Sequence, residues 1–390
     1  MLRILTAGES HGPACATIIE GMPAGVKVHV EDINQDLKRR HSDFGRGGRE
    51  KIEQDKAEIL SGVRYGKTLG SPITLIVRNL DFANWQDEMR IEETKRKAAK
   101  VTAPRPGHAD LAGVLKYGQD DIRSVSERAS ARETVGRVMA GAVVRQLLLE
   151  FGIRLASHTV QIGAVKLTHH TSDFEEVARV FATDPDIRCI DPKTSEKMKQ
   201  LILEARARKD TLGGVVEVIA TGVPVGLGSV MHYDRRLDGR LAQALMSIPS
   251  VKAVEIGGGI AGAAMFGSEF QDQIIYKGNR FRRQSNNMGG IEGGMSNGED
   301  IVCRVYHKPL STLGAPLKTI DIATHRPVPS KVERSDICAV PRSGVISEAM
   351  LALVLAEAMV EKFGGDHIDE MKRNFNSYIK SQQEKDDATR

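Results

Sequence analysis

The chain has 390 residues, 41% hydrophobic and 27% charged, which excludes a disordered or low-complexity protein and leaves ample material for a large core. Lys plus Arg number 55 against 51 for Asp plus Glu, and a net charge of +4 is too mild to argue for nucleic-acid or membrane binding. Cys15, Cys189, Cys303 and Cys338 are far apart and form no zinc spacing, so they read as reduced thiols of a cytoplasmic protein. The start, Met1 to Thr6, lacks the basic flank and apolar stretch of a signal peptide.

In chain order, Leu2–Thr6, Val26–Val30, Ile73–Val77, Val215–Thr221, Val251–Ile256 and Ile301–Tyr306 are short, β-branched and bounded by Gly or Pro, which predicts strands. Asp32 is placed to cap a short helix running to about Arg40. Glu133 to Glu150 carries Val135, Val138, Met139, Ala142, Val143 and Leu147 at helical spacing, with Gly152 as a stop. Its Gly136, Ala140 and Gly141 would let another element approach closely. Ser195 to Lys209 predicts an amphipathic surface helix. Ile346 to Phe363 is apolar almost all round and predicts a buried helix ended by Gly364-Gly365. A single catalytic domain is expected over residues 1–365. Residues 366–390 read as a polar extension, frayed from about Gln382.

Thr68-Leu69-Gly70 and Thr211-Leu212-Gly213 each precede a predicted strand, and Thr312-Leu313-Gly314 recurs before Pro316. The phrase is either coincidence in a Gly-rich chain or the trace of two related α+β halves sharing one core. Gly257 to Gly262 matches G-x-G-x-x-G after a strand, which keeps a nicotinamide-dependent oxidoreductase as an alternative. No amphipathic helix and no acidic strand end follow it. The arginine loop Arg39 to Arg49 keeps a second alternative, an RNA-binding protein, although aromatics are only 4% of the chain. Arg105, Arg123, Arg128 and Arg132 lie in stretches that are not otherwise basic. Guanidinium forks suit carboxylate and phosphate, so their convergence would make a site for a small polyanion. His11 and His108 each sit in a Gly/Pro-defined turn beside polar groups, a setting suited to proton transfer. Neither has a metal-ligand partner at helical spacing, so no metal is expected.

Seven stretches carry a resemblance in register from Met1 to about His367. They are Gly8-Glu9-Ser10-His11-Gly12, Phe44-Gly45-Arg46-Gly47-Gly48-Arg49, Arg105-Pro106-Gly107-His108-Ala109-Asp110, Glu127-Arg128-Ala129-Ser130-Ala131-Arg132-Glu133-Thr134, Asp210-Thr211-Leu212-Gly213-Gly214, Glu292-Gly293-Gly294-Met295-Ser296-Asn297-Gly298 and Arg334-Ser335-Asp336-Ile337-Cys338-Ala339-Val340-Pro341. Together they resemble the chorismate synthase family. The resemblance implies an α+β fold, a β-α-β sandwich with helices packed between antiparallel sheets, assembled as a homotetramer. It implies a lyase that eliminates phosphate from 5-enolpyruvylshikimate 3-phosphate with reduced FMN and without net redox change. By the same resemblance His11 serves the leaving phosphate, His108 stabilises the reduced flavin, and Asp336 accepts the proton relayed through the flavin. Ser10, Arg40, Arg46, Arg49, Arg105 and Arg132 would bind substrate. Arg128, Ala129, Ser130, Pro249, Ser250, Gly293, Lys308, Pro309, Leu310, Ser311, Thr312 and Arg334 would contact FMN. Arg40 and Arg46 match arginines that bind NADPH in some members. With no insertion sized for a reductase, an external flavin reductase is the expected supply.

Overall fold

The computed structural model describes residues 2–42, 44–45, 55–95, 98–169, 171, 173–278, 280–333 and 336–387, with side chains to 383. Two antiparallel sheets frame a mixed α+β fold. The first contains β1 (Arg3–Ala7), β2 (Ala14–Glu20), β3 (Ala57–Ser61) and β4 (Ile73–Arg78) in the order β1-β2-β4-β3. The second contains β5 (Arg154–Ile162), β6 (Val165–Lys166), β7 (Gly214–Thr221), β8 (Val251–Ile256) and β9 (Ile301–His307) in the order β8-β9-β7-β5-β6. The main helices are α1 (Val30–His41), α2 (Asp110–Tyr117), α3 (Arg123–Ala129), α4 (Thr134–Leu149), α5 (Phe174–Thr183), α6 (Pro192–Ala207), α7 (Leu237–Met246), α8 (Val340–Phe363) and α9 (Ile368–Asp387).

α4 packs on the first sheet, α8 packs on the second, and the two helices pack on each other. The expected close approach at the α4 glycines is present. A Cβ on Gly141 would stand 2.3 Å from Ala349 Cβ of α8, and one on Gly136 would stand 3.1 Å from Thr6 Cγ2 of β1. α8 is long and apolar enough to cross a membrane, yet Leu351, Leu355 and Met359 are wholly buried inside the fold. Each such side chain contributes on the order of 1.5–3 kcal/mol by leaving water.

Several boundaries differ from the sequence reading. Val26 and Val28 are buried and extended, but Ala24 and Lys27 make only isolated bridges and Val30 already starts α1. The N-cap is therefore His29, whose N–H is taken by Gln146 Oε1 at 2.8 Å, and Asp32 sits in the first turn. There its carboxylate favours the helix dipole without capping it. α6 begins at Pro192, capped by Asp191, which accepts the Thr194 N–H at 2.8 Å. α8 starts six residues before the predicted Ile346, with Pro341 in its first turn. The segment expected to fray is helical to Asp387. Ile368, Met371, Phe375 and Tyr378 form a one-sided stripe at helical spacing. Phe375 packs edge-on against Phe151 and Phe363, and Tyr378 donates to Val225 O at 3.0 Å.

Candidate active site

The link from β1 to β2 is a tight turn. At Gly8, φ is +110° and a Cβ would meet Ala14 O at 2.4 Å, so only glycine fits. Ser10 N–H donates to Glu127 O at 3.0 Å, and Asn79 Nδ2 donates to Ser10 O and Gly12 O at 2.9 and 3.0 Å. His11 is thereby held against α3. Its backbone N–H donates to Glu127 Oε2 at 2.8 Å, and its Nδ1 lies 2.9 Å from Glu127 Oε1. The imidazole stacks on Trp85 with centroids 3.8 Å apart and 25° between planes. Ser10 Oγ lies 3.2 Å from Ser130 Oγ, which in turn accepts the Arg132 N–H at 3.3 Å.

The second turn leads into α2. Asp110, almost wholly buried, accepts Arg105 Nε at 2.8 Å and Arg105 Nη2 at 3.0 Å, and lies 2.5 Å from His108 Nδ1. Burial alone would raise its pKa, but the bonds from His108 and Arg105 outweigh it and hold the carboxyl well below the usual range. Arg105 also reaches Thr312 Oγ1 at 3.3 Å and Glu333 at 3.1 Å. Glu333 feels both Arg105 and His11, and Arg105 feels Glu127, so the two histidine turns share one electrostatic neighbourhood. Lys308 Nζ donates to Ser311 Oγ at 2.8 Å, and that hydroxyl donates to Gly107 O at 2.9 Å, next to His108.

The third group surrounds Asp55. Arg132 approaches it with both Nη atoms at 2.8 Å, Arg40 Nη1 lies 3.7 Å away, and His41 Nε2 contacts the same carboxylate. Burial would raise the Asp55 pKa, but His41 and the two guanidiniums hold it far below the ordinary value. Arg40 further donates to Thr134 Oγ1 at 3.1 Å and Ala131 O at 3.0 Å. Arginines from α1 and from the α3–α4 link thus converge, as a polyanion site requires.

The remaining predicted residues divide. Ser250, with φ +73°, bonds His307 Nδ1 at 2.9 Å and accepts the Lys308 N–H at 2.9 Å, so Pro249-Ser250 and Lys308 to Thr312 form one wall. Arg128 turns toward β1, donating to Thr6 O, Thr6 Oγ1 and Gly8 O at 2.9, 2.8 and 3.2 Å, and Ala129 ends α3 beside it. Gly294, next to Gly293, accepts the N–H of Leu237 at the start of α7, and Pro249 follows the far end of that helix. Asp336 pairs with Arg342 Nη1 at 2.7 Å, and Ile337 N–H bonds Gly45 O at 2.8 Å. Arg46, Arg49 and Arg334 lie outside the described residues.

Sequence reasoning missed Asp55, Glu127, Trp85, Glu333 and His307 as site residues. Glu127 stands at the head of a quoted motif, and Asp110 stood two residues from His108. Asp55 gave no local signal, since its partners lie 14 to 77 positions away. The Gly257 to Gly262 match opens only a four-residue turn, and a Cβ on Gly262 would stand 2.2 Å from Phe270 Cε2. No dinucleotide-binding helix follows there.

Nearly buried arginines and carboxylate-paired histidines thus gather at the loops and helix ends beside the first sheet. The family model described as chorismate synthase matches residues 2–360. The chain is 53% identical over 385 residues to the chorismate synthase of Moorella thermoacetica, covering 98% of this chain and 100% of that one. It is 50% identical over 383 residues to that of Solibacter usitatus, covering 97% and 98%. A solved structure described as the crystal structure of chorismate synthase superposes with TM-score 0.79 at 41% identity, covering 98% of both chains. The chain belongs to the chorismate synthase family and is a lyase; neither the oxidoreductase nor the RNA-binding alternative finds support.

Proposed function

We propose that the chain converts 5-enolpyruvylshikimate 3-phosphate to chorismate and phosphate by anti 1,4-elimination, in the pathway to the aromatic amino acids. The observation that carries this reading is that Arg40 and Arg132 converge on Asp55 while Arg105 stands beside His108, all three nearly buried. The substrate bears two carboxylates and a phosphate, and each needs a cation once out of water. Fixed guanidiniums also stabilise the charge that grows on a departing phosphate. His11 presents its Nε2, the nitrogen Glu127 does not engage, to the leaving phosphate. His108 stands beside Lys308 and Ser311 at the cofactor wall. Asp336, paired with Arg342 Nη1 at 2.7 Å, is assigned the ring proton.

Reduced FMN is the family's cofactor, and the residues present fit it. His307 Nε2 is buried with no partner among the described residues, beside Ser250 and Lys308. Gly107, with φ +75°, leaves open a space that a Cβ would fill 3.5 Å from Ser311 Oγ. Lys308, Ser311, Ser250 and Ser130 would hold its anionic and polar groups. The bound flavin supplies electron density that assists phosphate loss from a poorly acidic ring. Arg40 and, outside the described residues, Arg46 are assigned to NADPH where it serves as reductant; an external flavin reductase is the simpler supply. The helices between two antiparallel sheets fit a sandwich of two related halves, taken to assemble as a homotetramer. Buried cysteine thiols suit a cytoplasmic setting.

The test is an anaerobic assay with the phosphorylated substrate and chemically reduced FMN. Chorismate and phosphate are expected in equal amounts, dependent on reduced flavin but not consuming it. No chorismate from a folded, flavin-binding preparation would overturn the reading.

A further inference from the structure

The two histidines are held differently. His108 Nδ1 is contested, with Asp110 Oδ1 at 2.5 Å and Arg105 Nη2 at 3.2 Å. One is an acceptor and the other a donor, so the ring's proton placement follows whichever neighbour dominates. His11 Nδ1 meets the Glu127 carboxylate, at 2.9 Å from Oε1 and 3.0 Å from Oε2. An ionised carboxylate only accepts, so Nδ1 must carry the proton. Glu127 is itself buried and takes the His11 backbone N–H as well, which fixes the residue at two points. Trp85, the chain's one tryptophan, closes a face of the imidazole at 3.8 Å, and Arg123 lies 5.6 Å from the indole centroid. Trp85 is in turn anchored by Nε1 to Asp81 at 3.2 Å.

We propose that Glu127 is the positioning residue of His11, holding a proton on Nδ1 while Trp85 clamps the ring, so that Nε2 is the nitrogen that takes up the second proton and, as the imidazolium, donates it to the leaving phosphate. This rests on the proposed role of His11 at that phosphate. The logic is that of a carboxylate orienting a catalytic imidazole, where the carboxylate never touches substrate. Neither ring rotation nor tautomer exchange is available while both carboxylate oxygens engage one edge.

The experiment uses the full chain, labelled with nitrogen-15 histidine, with the His11 resonances assigned by their loss in His11→Asn. Nδ1 of His11 is expected to be protonated in the wild type, and in Glu127→Ala to exchange its proton with Nε2. An unprotonated Nδ1 in the wild type, or an unchanged Nδ1–H in Glu127→Ala, overturns the proposal. Glu127→Ala is expected to lower kcat by about 10- to 100-fold, the usual effect of removing an orienting partner, with KM changed less than about threefold. Glu127→Gln keeps one acceptor oxygen and should recover part of that loss; it carries the test if the Ala variant does not fold. Wild-type kcat in Glu127→Ala, beside an inactive His11→Ala, sinks the positioning role alone. Full turnover in His11→Ala, with the nitrogen shifts as expected, sinks the role of His11 at the phosphate and leaves the positioning intact.

Discussion

A histidine–glutamate pair lies beside the first sheet, at His11 and Glu127, and another within the second, at His158 and Glu217, and the two differ in what surrounds them. On the second sheet, His158, Glu217, Arg304 and Glu255 stand at opposed positions of four adjacent strands. His158 Nε2 meets Glu217 at 3.0 Å, Arg304 meets the same carboxylate at 2.7 Å, and Tyr306 donates to Glu255 at 2.5 Å. His158 is fully buried, and each charge is taken up by its cross-strand neighbour. At the first sheet the pairs come from loops and helix ends, where His11, Arg105 and Arg132 meet carboxylates on separate segments. The site's cations are held by carboxylates on loops and helix ends, whereas the ladder's charges are matched across neighbouring strands. Buried charge alone therefore did not identify the site; its placement on loops did.

The sharpest way to break that contrast is His11→Ala or His108→Ala. Each should slow turnover by at least tenfold, within the order of 10² to 10⁴ typical of a lost proton-transfer group, with the unfolding temperature nearly unchanged. Near-normal turnover in either purified variant would remove that residue from the mechanism.

The ladder should behave oppositely. Glu217→Gln leaves a buried guanidinium and imidazole without their carboxylate, which costs on the order of 3–5 kcal/mol. Thermal unfolding should register the loss, while kcat per folded molecule stays within about twofold; a selective loss of kcat would give the ladder a catalytic part.

Gly141→Ala puts a methyl 2.3 Å from Ala349 Cβ and should cost about 1–3 kcal/mol in denaturant unfolding. An unchanged midpoint would mean that α4 and α8 separate easily.

The smallest effect is in pH dependence. His307 is pushed down to about 4 by burial, so the unfolded chain takes up its proton first as pH falls. With fewer protons bound when folded, the protein loses stability as pH drops from about 6.5 toward 4. The depressed carboxyls of Asp55 and Asp110 act in the same sense, their stabilisation present above about pH 4 and lost as pH falls further. Melting curves of His307→Gln should show a flatter slope between pH 6.5 and 4 than the wild type; parallel slopes would mean the imidazole is hydrated.

Much of this was legible in the sequence where local chemistry decides the structure. β4, β7, β8 and β9 and the central helix α4 fall within a residue of their predicted ends, because β-branched runs and a 3.6-residue apolar period leave little choice. β2, β3 and β5 were missed. Ala14–Glu20 and Ala57–Ser61 are mixed in polarity, and they are strands because β4 lies between them. Helix α9 was missed although Ile368, Met371, Phe375 and Tyr378 keep helical spacing, since its many charged residues hid the stripe. At the site, turns rich in Gly and Pro singled out His11 and His108. Their carboxylate partners stayed hidden because a pairing such as Glu127 with His11 spans 116 positions.

The central claim is that the buried arginines hold the substrate's anionic groups. It is tested most directly by calorimetric titration of 5-enolpyruvylshikimate 3-phosphate with oxidised FMN present, so that no turnover occurs. Asp55→Asn should be compared with the double variant that adds Arg132→Met, which removes the cation without leaving Asp55 as an unpaired buried charge. Losing one charge-assisted contact should weaken binding by about 10- to 150-fold. Equal affinity in the two variants would contradict the placement of the substrate at Arg132 and, with it, the assignment of this site.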